Sequence, residues 1–144
     1  MALFMGLLVA AGSSRADSSL DEARRFFAEF VRLERSFDPA LADLYASDAV
    51  IRVVQRHPGA EVRTIDIPGA KYQELLRAAL PIAKMKGDTN RYSEMSYRRE
   101  GARVRIEARR HSNATQHGSP ISMRVGPDER GHWKIFEETT ETQP

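Results

Sequence analysis

From Thr89 onward the chain reads as four strands in succession, Arg91 to Arg99, Ala102 to Ser112, Ser119 to Gly126 and His132 to Thr139, separated by turn residues. Glu100-Gly101 makes the first turn tight, and Pro127-Asp128-Glu129-Arg130-Gly131 makes the last one looser. Strands joined this way form an antiparallel meander, and a meander with one apolar face has to lay that face against another layer. A chain of 144 residues holds one such core and not two.

The residues before Thr89 supply the cover. Ser19-Leu20-Asp21-Glu22 has the form of a capping box ahead of Ala23, Phe26, Phe27, Phe30 and Leu33, which fall on one face of a helix. Asp38-Pro39 offers an N-cap and a first-turn proline for a short second helix through Leu41, Leu44 and Tyr45. Asp48 to Gln55 is rich in β-branched residues and reads as a strand, and Pro58-Gly59 turns it toward a second, Val62 to Ile67. After Pro68-Gly69, Tyr72, Leu75, Leu76, Ala79, Leu80 and Ile82 recur at helical spacing up to Gly87-Asp88, with Pro81 expected to kink or divide the helix. The expectation is an α+β domain, a curved and mostly antiparallel sheet wrapped around three helices as a cone-shaped barrel.

With 41% apolar and 29% charged residues and a net charge of +2, the chain has the composition of a folded domain and lacks the basic excess of a nucleic-acid binder. It has no cysteine, so a disulfide framework and a thiolate nucleophile are excluded, and any metal site would need histidine and carboxylate ligands. Met1 to Ala11, MALFMGLLVAA, followed by the small residues Ser14 and Ala16, is similar to a secretory signal peptide. It is too short to span a bilayer as a helix and lacks basic residues in front. The chain thus divides into a signal-like segment at 1–16, one domain at 17–140 and a tail at 141–144 expected to be disordered. The mature protein is expected in the periplasm or outside the cell; the alternative is an ordinary apolar N-terminus on a cytoplasmic protein.

This order of elements resembles the nuclear transport factor 2-like superfamily, which includes ketosteroid isomerases and SnoaL-like polyketide cyclases. Two runs strengthen the likeness, Leu44-Tyr45-Ala46-Ser47-Asp48-Ala49-Val50 after the second helix and the late Gly131-His132-Trp133-Lys134-Ile135. It extends from about Leu20 to Glu138 and implies a sheet rolled into a cone with an apolar pocket inside its open end. It also implies a homodimer through the outer sheet face, where Phe136 would sit beside Lys134 and Glu138 as an apolar anchor. The isomerases place a general-base aspartate on the first strand, and the matching position here is Val53, which cannot move a proton.

Strand alternation predicts the pocket lining. With Glu100 and Gly101 as loop residues, Tyr97 pairs with Val104, Met95 with Ile106, Ser93 with Ala108 and Arg91 with Arg110. On the last two strands Ile121, Met123 and Val125 share one face, as do Trp133, Ile135, Glu137 and Thr139. Polar residues at the inward parity mark the candidate ligand-binding set, Arg91, Tyr97, Arg110 and Glu137, with Ser93 and Gln55 beside them. Arg110 and Glu137 read either as a bracing salt bridge at the cone mouth or as ligand contacts.

No residue is assigned a catalytic role. His57, His111, His117 and His132 lack metal-ligand spacing, although His111 or His117 folded beside Glu137 would make a proton-transfer pair. Ser112, Ser119 and Ser122 lack a nucleophile-elbow frame, Asp48 reads as a turn or cap partner, and Tyr72 and Trp133 read as core aromatics. Three functions fit: a protein binding a small apolar or amphipathic molecule, a SnoaL-like or isomerase-type enzyme with a pocket carboxylate or histidine as base, or a homodimeric module with a filled pocket. No cofactor, metal, nucleic-acid partner or stable membrane insertion is expected.

Overall fold

The computed structural model describes residues 10–142. The N-terminal run Met1 to Val9 and the last two residues lie outside it, so the signal-like segment falls largely beyond the described residues. Among these no helix is long and apolar enough to cross a membrane. The elements are helix α1 (Ala10–Arg35), a 3-10 turn (Pro39–Leu44), strands β1 (Tyr45–Gln55) and β2 (Arg63–Pro68), helix α2 (Gly69–Lys86), and strands β3 (Asn90–Glu100), β4 (Arg103–Ser112), β5 (Gly118–Pro127) and β6 (Trp133–Thr142). Helix α1 starts upstream of Ser19, so the supposed capping box lies inside it and Glu22 instead accepts from Arg25 at 2.8 Å. The cap at Asp38 forms as its sequence implies, its carboxylate accepting from the Ala40 amide at 2.9 Å. Pro81 sits within α2 without dividing it.

The strands form one sheet in the order β2-β1-β6-β5-β4-β3, open at both edges. Only β1 and β6 run parallel. Strand β6 continues through Glu141 and Thr142, which pair with Val54 and Gln55, so these residues belong to the sheet and not to a disordered tail. Helix α1 packs on β3 and β4, and α2 on β1 and β2. The core lies between α1 and the sheet: Phe26, Phe27, Phe30 and Leu33 meet Val104, Ile106, Met123, Val125 and Ile135, all buried. Each large side chain removed from water here contributes about 1.5–3 kcal/mol. Gly69 lets α2 approach β1 closely, because a Cβ there would stand 2.1 Å from the Ala46 carbonyl oxygen.

Register decides which side chains enter the cone. Strands β4 and β5 pair continuously from Val104↔Val125 to His111↔Gly118. The β3–β4 turn is Gly101-Ala102, with Gly101 at φ +60, so Tyr97 pairs with Ile106 and not with Val104. That two-residue offset preserves the inward face. Two bulges do not preserve it. One lies between Ser93 and Ser96, where Glu94 takes φ +55, and beyond it Tyr92 pairs with Arg110. The other lies in β6, where Ile135 pairs with Val125 but Glu137 pairs with Arg124, leaving Phe136 as the extra residue. Past each bulge the opposite parity points inward.

Candidate functional site

Moving along the inward face from the turn end of the strands, the lining changes from apolar to polar. Val104, Ile106, Met123 and Ile135 form an apolar floor. Toward the open end stand Glu138 and Thr140 on β6, Arg110 on β4, Tyr92 on β3, Tyr45 on β1, Tyr72 on α2 and Glu34 on α1. Glu138 is 2% exposed, and Tyr45 Oη donates to its Oε2 at 2.5 Å. The Tyr45 and Tyr72 rings meet edge to face with centroids 4.9 Å apart. Glu34 Oε1 accepts from Tyr92 Oη at 2.8 Å and from Asn90 Nδ2 at 3.3 Å.

Burial dominates the electrostatics. It drives the Glu138 carboxyl up to about 7, against the Tyr45 hydrogen bond and the Arg110 charge, which favour the ionised form. The phenols of Tyr45, Tyr72 and Tyr92 are pushed up, mainly by burial. Desolvation acts to lower the Arg110 value, yet the fields of Tyr92, Glu138 and Glu34 outweigh it and the net direction is up. Arg110 stays charged.

Among the described residues Arg110 makes no hydrogen bond or ion pair. Its nitrogens are not sealed either, since the one enclosed side-chain polar atom lacking a partner among the described residues is Arg124 Nε. They face a cleft of about 280 Å³ at the cone mouth, lined by Asn90, Ser112, Ser119 and Thr142, with His117 and Glu141 at its rim. A larger groove, about 660 Å³, lies between the β5–β6 loop and the start of β1. Its Arg103, Arg130 and Lys134 are offset by Asp48, Asp128 and Glu129, and it reaches none of the buried polar groups except Tyr45. The mouth cleft is the better candidate because it is the one that Arg110, the charged member of the cluster without a partner among the described residues, lines.

Of the residues singled out from sequence, Arg110 lies in this cluster, and Tyr72 joins it. Tyr97 points inward but at the other end, edge-on to Phe27 at 6.5 Å and beneath the Arg24 guanidinium at 5.2 Å. Arg91 is exposed on the outer side and donates to Asn113 Oδ1 at 2.8 Å, because the β3 bulge brings Tyr92 inward in its place. Glu137 pairs with Arg124 at 2.8 Å on the outer face, because the β6 bulge turns Glu138 inward instead. Arg110 and Glu137 thus form no pair. Ser93 is likewise outside, 3.2 Å from His111 Nε2, which removes His111 from Glu137. Phe136 lies outside as expected, though Glu138 does not accompany it, and the Arg103 guanidinium covers the ring at 3.7 Å. His57 and His132 are exposed, and among the described residues no group of three or more histidine and acidic side chains is placed to hold a metal.

Tyr45, Tyr92, Glu34 and Glu138 are the members that alternation alone passes over. Tyr92 and Tyr97 carry a detectable signal: two aromatic residues five positions apart on one strand can both face the core only across a bulge.

The sequence matches no protein-family model and no curated protein. Solved structures do match in shape. An NTF2-like protein with a cystatin-like fold from Novosphingobium aromaticivorans is 17% identical, with a TM-score of 0.68 over 91% of this chain and 86% of that one. An NTF2-like protein of unknown function from Pseudomonas putida KT2440 is 10% identical, also at 0.68, over 87% of each chain. A candidate dehydratase of the NTF2-like family from Streptomyces avermitilis is 13% identical at 0.60, over 88% of this chain and 96% of that one. The chain has the NTF2-like α+β cone fold, with its sheet left open.

Proposed function

We propose that this NTF2-like cone is a small-molecule-binding protein whose ligand sits in the mouth cleft, against Arg110 and the polar wall of Asn90, Ser112 and Ser119. One observation carries this reading: an arginine lodged among buried and half-buried tyrosines, lining a cleft and without an acceptor among the described residues. Well-packed apolar side chains at these positions would stabilise the fold at least as well as an incompletely paired ionic cluster. A ligand that accepts from the guanidinium supplies what the protein does not. Native mass spectrometry of protein purified from its own host tests this. The expected result is a small-molecule adduct present in the wild type and absent from Arg110→Met; an adduct retained in full by that variant contradicts the reading.

A second reading is favoured by the Tyr45–Glu138 contact. A buried carboxyl titrating near neutrality beside a phenol is equipped to exchange a proton with a bound substrate, as an isomerase- or dehydratase-type enzyme requires. In that case turnover of a substrate found by screening follows an ionisation at about 7, and Glu138→Gln abolishes turnover while leaving binding intact. Undiminished turnover in Glu138→Gln removes the enzymatic role of this residue.

A further inference from the structure

We propose that the ligand of the cone mouth is a small organic carboxylate, held by the Arg110 guanidinium, and that its binding is coupled to protonation of Glu138. This rests on the ligand-binding reading above and adds the chemical class. Arg110 presents a planar fork of N–H donors, the geometry that a carboxylate meets with two parallel hydrogen bonds. The walls of the cleft carry neutral hydrogen-bonding groups, Asn90, Ser112, Ser119 and Thr142, and no second arginine or lysine. One cation with Glu34 and Glu138 in its field suits a monoanion and disfavours a polyanion.

The coupling follows from competition. Glu138 and a bound carboxylate draw on the same positive charge, so an ionised Glu138 opposes the ligand and a protonated one admits it. The groups around Glu138 are Tyr45 from β1, Tyr72 from α2, Tyr92 from β3, Arg110 from β4 and Glu34 from α1, while its neighbour across β5 is the apolar Met123. The phenols stay neutral and Arg110 stays charged, which leaves Glu138 to change state near neutrality. His117 and Glu141, at the rim, are the other titratable groups on the cleft. Affinity for a carboxylate therefore falls as pH rises through about 7.

The test is an NMR titration of the intact chain with benzoate and hexanoate, and with benzyl alcohol and hexanol as their neutral counterparts. The carboxylates are expected to shift the Asn90, Arg110 and Ser119 amides, to bind about tenfold or more tightly than the alcohols, and to lose that advantage in Arg110→Met but keep part of it in Arg110→Lys. Between about pH 6 and about pH 8 their affinity should drop several-fold in the wild type and stay level in Glu138→Gln. Alcohols binding the same amides as well as the acids overturn the carboxylate assignment and leave the ligand-binding reading standing. A pH dependence that persists in Glu138→Gln overturns the coupling and assigns it to the rim. No shift at any mouth amide with any of the four probes overturns both this inference and the reading beneath it.

Discussion

Strands β4 and β5 pair without interruption from end to end, whereas their flanking neighbours β3 and β6 each take up one extra residue. The unbroken pair lays Val104, Ile106, Ala108, Ile121, Met123 and Val125 on the inner face in simple alternation. The bulged strands exchange faces halfway along, and at the open end they turn in Tyr92 and Glu138 while turning out Arg91 and Glu137. The cone is thus a continuous apolar floor joined to a polar mouth, and the bulges are what separate the two. A site can be added at the mouth because the floor maintains the fold independently of it.

That division sets the order of mutational effects. The largest belongs to the floor: Ile106→Ala should cost about 2–5 kcal/mol in urea unfolding, since it removes a fully enclosed side chain between α1 and β5. A loss under 1 kcal/mol there would show that the floor is not the stabilising half. Next is Glu138→Gln, with the opposite sign. The folded-state pKa of Glu138 is raised from 4.5 to about 7, so the folded state holds the proton more tightly than the unfolded chain. Stability from this group is therefore complete below about pH 4.5, declines across the window up to about 7 and stays low above it. The full shift corresponds to about 3 kcal/mol, and Glu138→Gln should be more stable than the wild type by that order above pH 7, with little difference in acid. Parallel stability curves for the two proteins would place Glu138 in water.

Tyr45→Phe comes third. It deprives Glu138 of its hydroxyl donor at a cost of about 1–2 kcal/mol and moves the carboxyl further up, because that hydrogen bond favours the ionised form. The smallest effects are on the outer face. Glu137→Gln breaks only a half-exposed pair with Arg124, and Arg91→Ala an exposed contact with Asn113, so each should change stability by less than about 1 kcal/mol. Either variant abolishing ligand adducts would move the site to the outside of the sheet.

The sequence carried the floor well and the mouth poorly, for reasons that lie in particular residues. Val104, Ile106 and Ala108 alternate strictly with Arg105 and Glu107, so only one face can be buried. In β6 the run Ile135-Phe136-Glu137-Glu138-Thr139-Thr140 repeats each residue type in adjacent pairs, so the two parities have nearly the same hydrophobic content and alternation cannot choose between them. With Ile135 inward, alternation selects Glu137, and one unpaired residue reverses it. Arg110 was legible because it lies on an unbulged strand; Glu34 was not, because its polarity reads as the solvent face of α1 until Tyr92 and Asn90 are brought against it.

Glu138 inside the cone is the point on which the candidate site depends, and a carbon-13 NMR titration of glutamate side-chain carboxyls measures it directly. One carboxyl, assigned to Glu138 by its loss in Glu138→Gln, is expected to titrate with a midpoint at about 7 that moves upward in Tyr45→Phe. A Glu138 midpoint at the ordinary 4.5, unmoved by Tyr45→Phe, would mean that β6 runs without its bulge and that the polar mouth does not exist.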